Sequence, residues 1–305
     1  MKRINFVTLT APVAMISDQL TFLREAVSNF EIPCSASSNL DPSALNVVIE
    51  GFTPFSARYV REFCDTRQKK ISLVITEHLD VKDEVIINDV LLSRANEYMP
   101  NASERLRNLC QVLPHVRFIW VLGHLPKASN IKKLFPQTPI VHVPYPPIRS
   151  TVSFLPANRR FELSFTGTVT QYRNKILTNI KRFFKCCYTF SDSTDSRQRI
   201  ISDSLFTLQI PQHEAWRYVS PMRILFALRA GTPILNISSF SDELFDPFIP
   251  RIQPSEVLSE ISRILRTSPA EVLAKSVASY NQLAADSMKS SKMPYSIRIW
   301  QDLES

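Results

Sequence analysis

The chain has 305 residues, 44% of them apolar and 21% charged, and carries a net charge of +8. That length exceeds one ordinary core and predicts two domains, while the apolar share excludes a chain that is mainly disordered. No run approaches the roughly eighteen apolar residues of a membrane span, and the basic excess admits an anionic partner without the basic tail that would indicate nucleic acid.

The start, Met1 to Val7, reads as the opening of a first strand, Ile4–Leu9, and not as a signal peptide. Further short apolar runs follow at Asn46–Glu50, Ile71–Thr76, Val116–Leu122 and Pro139–Val143. Helical patterns lie between them, at Ile16–Asn29, Phe55–Arg67, Ala102–Leu113 and Ala128–Leu134. The stretch from Pro144 to Pro156 is proline-rich and reads as an extended linker. Beyond it the alternation resumes, with strands at Phe161–Phe165, Tyr188–Phe190, Ser204–Ile210 and Pro233–Ile237. The intervening helices are Gln171–Phe184, Asp195–Ser202 and Ser220–Ala230. Two amphipathic helices are expected over Ser255–Met288, the second opening at Thr267-Ser268-Pro269, and a last short helix after Pro294.

Short Val/Ile/Leu runs between helices are the pattern of parallel strands buried on both faces. The fold class predicted is therefore α/β, with two Rossmann-like domains facing across a crevice. Residues 1–145 form the first domain, 158–290 the second, and 291–305 a helix returning to the first.

Five cysteines, Cys34, Cys64, Cys110, Cys186 and Cys187, show no zinc-ligand spacing and fit the thiols of a reducing, cytoplasmic setting. Only four glycines occur, and Gly51, Gly123 and Gly167 each follow a predicted strand. Carboxyl ends of strands are where open α/β sheets bind ligands. Gly231 follows a helix and suits its cap. No Gly-x-Gly-x-x-Gly, Walker loop or Asp-x-Asp pair is present, so any nucleotide phosphate must be met by helix N-termini and basic side chains.

The sharpest candidate is the strand–loop–helix passage from Ser204 to Gly231. Ser220 suits an N-cap and Pro221 the first helical position, so free N–H groups and a partial positive charge should meet an anion there. Arg223 occupies that first turn, where it is comfortable beside a bound anion or in an ion pair with Glu214 or Asp242. A second candidate is Thr166-Gly167-Thr168, where backbone can approach a ligand, with Arg173 able to clamp a phosphate through its planar fork. Lys175 reads as a solvated cation. In the first half, Thr76-Glu77-His78 ends a strand, and Glu77 or His78 is a candidate general base, with Glu50 as rival and His124 as a further crevice residue. His142 reads as a strand residue and His115 as a loop residue. No metal site is found.

Val141-His142-Val143-Pro144, the linker, Glu162 to Gly167 and Arg173 to Leu177 together resemble GT-B glycosyltransferases, especially the bacterial group-1-like and spore-maturation-type families. Val219 to Ile234 is similar to the helix that faces the donor diphosphate in those enzymes. The resemblance implies metal-independent transfer from a nucleotide-sugar donor to a glycan, lipid-linked or protein acceptor, with no resident cofactor. Peripheral contact with a membrane face is compatible with it. The implied donor residues are Thr166, Gly167, Thr168, Arg173, Tyr218, Ser220 and Arg223. The chain departs from the family where a ribose-binding glutamate is usual, since Phe226 stands there, and its partner glutamate is replaced by Tyr218. Tyr218 or Trp216 would then stack on a base, and an inverting reaction or an atypical donor is expected. A non-catalytic glycan- or partner-binding protein on the same scaffold is the alternative.

Overall fold

The computed structural model describes residues 3–10, 16–28, 32–95, 99, 101–123, 130–150, 153–154, 159–189 and 193–291. The chain divides into two compact units, Met1–Pro146 with the chain from Asp286 onward, and Pro147–Ala285. No described helix is long and apolar enough to cross a membrane.

The first unit is built on six parallel strands: β1 Ile4–Val7, β2 Cys34–Ser37, β3 Leu45–Ile49, β4 Ile71–Ile75, β8 Val116–Leu122 and β9 Ile140–Val143. Their order is β2-β1-β3-β4-β8-β9. Between β4 and β8 lies an antiparallel ribbon, β5 Leu79–Val81, β6 Val85–Ile87 and β7 Val90–Leu91. Helices α1 Ser17–Ser28, α2 Pro54–Arg67, α3 Ala102–Val112 and α4 Ile131–Leu134 complete it. The sheet is apolar on both faces, as a parallel sheet covered by helices must be. On one face Val7, Val48, Leu73, Ile75, Ile119 and Val121 join a single core with Val60 of α2 and Leu109 of α3. On the other, Phe6 meets Trp120 edge-on at 6.3 Å and Phe22 of α1 meets Tyr145 at 6.0 Å. Helix α2 starts where its sequence demands. Thr53 caps it in a reciprocal exchange with Ser56, and Pro54 takes the first turn.

The second unit has five parallel strands: β10 Phe161–Thr166, β11 Cys186–Thr189, β12 Ser204–Gln209, β13 Ile234–Ile237 and β14 Arg251–Ile252. Their order is β11-β10-β12-β13-β14. Its helices are α5 Gln171–Lys181, α6 Thr194–Ser202, α7 Pro221–Arg229, α8 Val257–Ile264 and α9 Pro269–Ser290. Phe165, Phe206, Leu208 and Leu235 pack against Ile176 and Ile180 of α5 and Ile261 of α8. The division between the units falls again inside α9. Before it, Asn281 binds both the N–H and the C=O of Ile148, at 2.8 and 3.1 Å. After it, Ser287 Oγ accepts from Tyr145 N–H at 2.9 Å.

Six strands differ from expectation. β2 has the sequence Cys-Ser-Ala-Ser, too polar to announce a strand, and lies half-buried at the sheet edge. The ribbon β5–β7 has no counterpart among the expected elements, although Asn88 and Asp89, both at positive φ, form the two-residue turn between β6 and β7. β11 begins at Cys186, two residues before the expected Tyr188. β14 has only two residues. The helix expected after Pro294 and His124 lie outside the described residues.

Candidate functional site

Each sheet contains the same local strand order, in which two chain-adjacent β–α connections run in opposite directions from the first strand. The carboxyl ends there are the usual ligand positions of open α/β sheets. Each unit has a cluster of charged residues at its strand ends.

In the first unit the ends of β3 and β4 open on a small hollow, lined by Glu50, Gly51, Glu77 and Arg105 and by apolar side chains that include Leu79 and Met99. Gly51 has φ +114, a conformation that suits a residue without Cβ. Glu50 Oε1 accepts from Thr76 twice, from its N–H at 2.6 Å and from its hydroxyl. Glu77 Oε2 accepts from Asn88 Nδ2, and Arg105 Nη2 stands 3.8 Å from Glu77 Oε1. Asn88 is fully buried and also brackets the main chain of His78, accepting from its N–H and donating to its carbonyl, both at 2.8 Å. The ribbon therefore fixes the Glu77-His78 segment.

Burial lifts the Glu50 carboxyl to about 7, the Glu77 charge adds to the rise, and the Thr76 donors and Arg105 oppose it. Burial also lifts Glu77, against the pull of Asn88 and Arg105. His78 is half-buried and is not among the residues lining the hollow. Thr76, Asn88 and Arg105 escaped sequence reasoning. Asn88 alone left a signal, the Asn-Asp turn; nothing in the α3 sequence marks Arg105.

In the second unit β10 ends at Thr166, and Gly167 follows at φ +128. Arg223, in the first turn of α7, donates through Nη1 to the Thr166 carbonyl. Its Nη2 lies 2.6 Å from where a Cβ on Gly167 would stand. Ser220 occupies the N-cap with extended backbone, and Pro221 the first helical position. Asp242 accepts from Val219 N–H at 3.3 Å, just ahead of that helix. Ser220, Tyr218 and Trp216 are half-buried, Thr168 and Lys175 exposed.

Arg173, expected from the sequence to clamp a phosphate, has only 2% of its surface exposed. Its Nε donates to Ile210 O at 2.9 Å and its Nη1 to Thr168 O at 2.8 Å. Thr170 Oγ1 adds a bond to Gln212 O at 2.7 Å. Arg173 thus clamps the chain leaving β10 to the chain leaving β12. Burial, and then the Arg223 cation, push its pKa well down, yet a guanidinium keeps its proton in proteins. Both guanidiniums lie close to the Phe165 ring, at 5.2 and 5.7 Å from its centre. Phe226 is half-buried, with the Arg197 guanidinium 5.9 Å from its ring centre. Among the described residues, no group of three or more His, Cys, Asp or Glu side chains is placed to hold a metal ion.

Two parallel Rossmann-like sheets, each with its helices, follow one another in the chain, and solved structures of the GT-B fold match them. The particular structures it matches include T4 phage β-glucosyltransferase. The likeness has a TM-score of 0.57 at 11% identity to the T4 phage enzyme in complex with UDP and Mn2+, over 95% of this chain and 97% of that one. It has a TM-score of 0.54 at 10% identity to the same phage enzyme in complex with its UDP-glucose substrate, with the same coverage. A β-glucosyltransferase described as a DNA-modifying enzyme gives 0.56 at 10% identity, again over 95% and 97%. At such identity the likeness is one of fold. No protein-family model matches the chain, and neither does any curated protein sequence.

Proposed function

We propose that the chain is a glycosyltransferase that moves a sugar from a nucleotide-sugar donor to an acceptor hydroxyl. The observation that carries this reading is Arg223, a cation in the first turn of a helix, lying over Gly167 at the end of β10. A helix N-terminus and a guanidinium at strand ends form a cradle for a diphosphate. The donor residues are Thr166, Gly167, Thr168, Ser220 and Arg223, with Tyr218 beside the base. Arg173 acts on the donor through the loop it clamps. UDP-glucose, the substrate named for the T4 phage enzyme, is the first donor to try.

Glu77 is the base, with its neighbour His78 as the rival. The acceptor hydroxyl gives its proton to Glu77, and its oxygen bonds to the anomeric carbon. The bond from that carbon to the phosphate oxygen breaks, and the electron pair leaves with the diphosphate. Arg223 meets the charge that develops there. One base and one displacement give inversion. Arginine as counter-charge makes transfer independent of a divalent ion. The T4 phage enzyme is described with Mn2+ beside UDP, so turnover should be compared with Mn2+ and with a chelator. Glycan, lipid-linked and protein acceptors form the test panel, and DNA joins it because a β-glucosyltransferase of this fold is described as DNA-modifying.

Phe226 and Tyr218, at positions the resembling families give to glutamate, favour a second reading: a non-catalytic binder on this scaffold. Slow hydrolysis of a nucleotide sugar separates the two, since only an enzyme performs it. The binding half is tested by calorimetric titration of parent and Arg223→Ala with uridine and UDP. Loss of UDP affinity with uridine affinity unchanged is expected. Equal UDP affinities would make Arg223 an ordinary surface charge.

A further inference from the structure

We propose that Glu50 and Glu77 form an unequal pair holding one proton, with Glu50 the neutral acid and Glu77 the carboxylate, so that Glu50 is a positioning residue for proton transfer at Glu77. The inference rests on the reading of Glu77 as the base.

The hollow sets the charge balance. Among the described residues its charged lining is two carboxyl groups, from the ends of β3 and β4, and one guanidinium, Arg105 of α3. Two carboxylates and one cation in a partly apolar hollow leave a negative charge uncompensated. Taking up one proton removes it. Among the described residues, the charges that act on Glu50 are those of Glu77 and Arg105. His78 follows Glu77 with its main chain tied to Asn88. Asp80 of the ribbon is paired with Lys133 at 2.8 Å. On α2, Arg58 faces Glu62 at 3.8 Å on the exposed side of the helix.

The hydrogen bonds decide which partner holds the proton. Glu77 has the stabilisers of a charged form, an amide donor on Oε2 and a guanidinium near Oε1. Glu50 has its two donors on one oxygen, both from Thr76. Oε1 of Glu50 is thereby the carbonyl-like oxygen, and Oε2 is left to carry the proton. Burial and the Glu77 charge both raise the Glu50 carboxyl, in agreement with that assignment. In transfer the pair begins with one proton, Glu77 takes the acceptor's, and both carboxyls end neutral. If Glu50 ionises first, Glu77 faces a second charge in the hollow.

Two measurements on the full chain test this. The first is a pH titration of 13C-labelled glutamate carboxyls by NMR, in parent, Glu50→Gln and Glu77→Gln. One midpoint near neutrality is expected in the parent. It should be absent in Glu50→Gln and move down by about one pH unit or more in Glu77→Gln. A Glu50 midpoint in the ordinary carboxyl range, or one that ignores Glu77→Gln, overturns the pair. The second is the pH profile of kcat/KM. Glutamine mimics the neutral acid, so Glu50→Gln should lose any alkaline limb due to Glu50 and lose less of kcat/KM than Glu77→Gln does. Glu77→Gln should lose roughly 10²–10⁴-fold, the usual worth of a base. Equal losses in both variants would make Glu50 a base itself and end the assignment. The titration needs no turnover. Coupled midpoints without sugar transfer would therefore sink the transferase reading and leave the proton-sharing intact.

Discussion

A Cβ added to Gly167 would stand 2.6 Å from Nη2 of Arg223 and 3.2 Å from its Nη1. The guanidinium fills the space that any side chain at Gly167 would need. The two residues are 56 positions apart in the chain, one just past β10 and the other in the first turn of α7. Backbone economy at one strand end and a cation at the neighbouring helix start are thus one arrangement.

Gly167→Ala should therefore act as an Arg223 variant. The methyl group displaces the guanidinium from the Thr166 carbonyl, and φ +128 strains any L-residue. UDP affinity should fall about as far as in Arg223→Ala. Arg223→Ala with Gly167→Ala together should fall little further, because the two changes remove the same contact. Calorimetry on the two single variants and the double variant measures this, and additive losses would show that the residues act separately.

Arg173 should behave differently. Its loss leaves the carbonyl of buried Ile210, and that of Thr168 nearer the surface, without its donors. A buried polar group left unmade costs about 1–3 kcal/mol. Arg173→Met should lower stability in urea by that order, with Lys recovering part of it. Arg223→Ala, whose side chain is only half-buried, should cost clearly less. Equal stability losses would contradict the division into clamp and ligand-facing cation.

The strand ends were legible because parallel strands must be apolar on both faces, and runs such as Val116–Leu122 can hardly be read otherwise. Gly51 and Gly167 were legible because a chain with four glycines spends them where φ is positive, as it is at all four. The partners of Glu77 were not. Asn88 reaches it through a ribbon too short and too mixed to show a period, and Arg105 from a helix whose sequence fits any surface helix. The carbonyl partners of Arg173 were not legible for a physical reason: a guanidinium in the first turn after a strand suits a phosphate and a pair of carbonyls equally well. Burial, which one sequence does not show, decides.

Asn88 tests the ribbon. It sits at φ 52, which asparagine tolerates, and binds His78 and Glu77 at once. Asn88→Ala loses the side-chain bonds and strains the turn, whereas Asn88→Gly loses the bonds alone. Both should depress turnover, and Asn88→Ala should be less stable than Asn88→Gly by about 1 kcal/mol. Urea unfolding of the two variants checks the difference. If Gly restores full turnover, the ribbon holds the site through its turn and not through the Asn88 side chain.

The last prediction follows the Glu50 proton into stability. Its carboxyl moves from the ordinary 4.5 to about 7 on folding, chiefly by burial and then by the Glu77 charge. Between those values the folded chain binds more proton than the unfolded chain. Stability must therefore fall as pH rises through that window, and the loss is complete above the folded value. Every tenfold difference in proton affinity between the folded and unfolded chain corresponds to roughly 1.4 kcal/mol. Glu77 is raised too, so it adds to the fall with the same sign. Glu50→Gln removes the Glu50 part, because glutamine carries no charge and still offers Oε1 to the Thr76 donors. Urea unfolding at pH 5 and pH 8 should show the parent losing stability and the variant losing less, so that the variant is the more stable protein at pH 8. Equal losses in the two proteins would mean that Glu50 is ionised in the folded chain, and the proton of the hollow would then have to sit on Glu77.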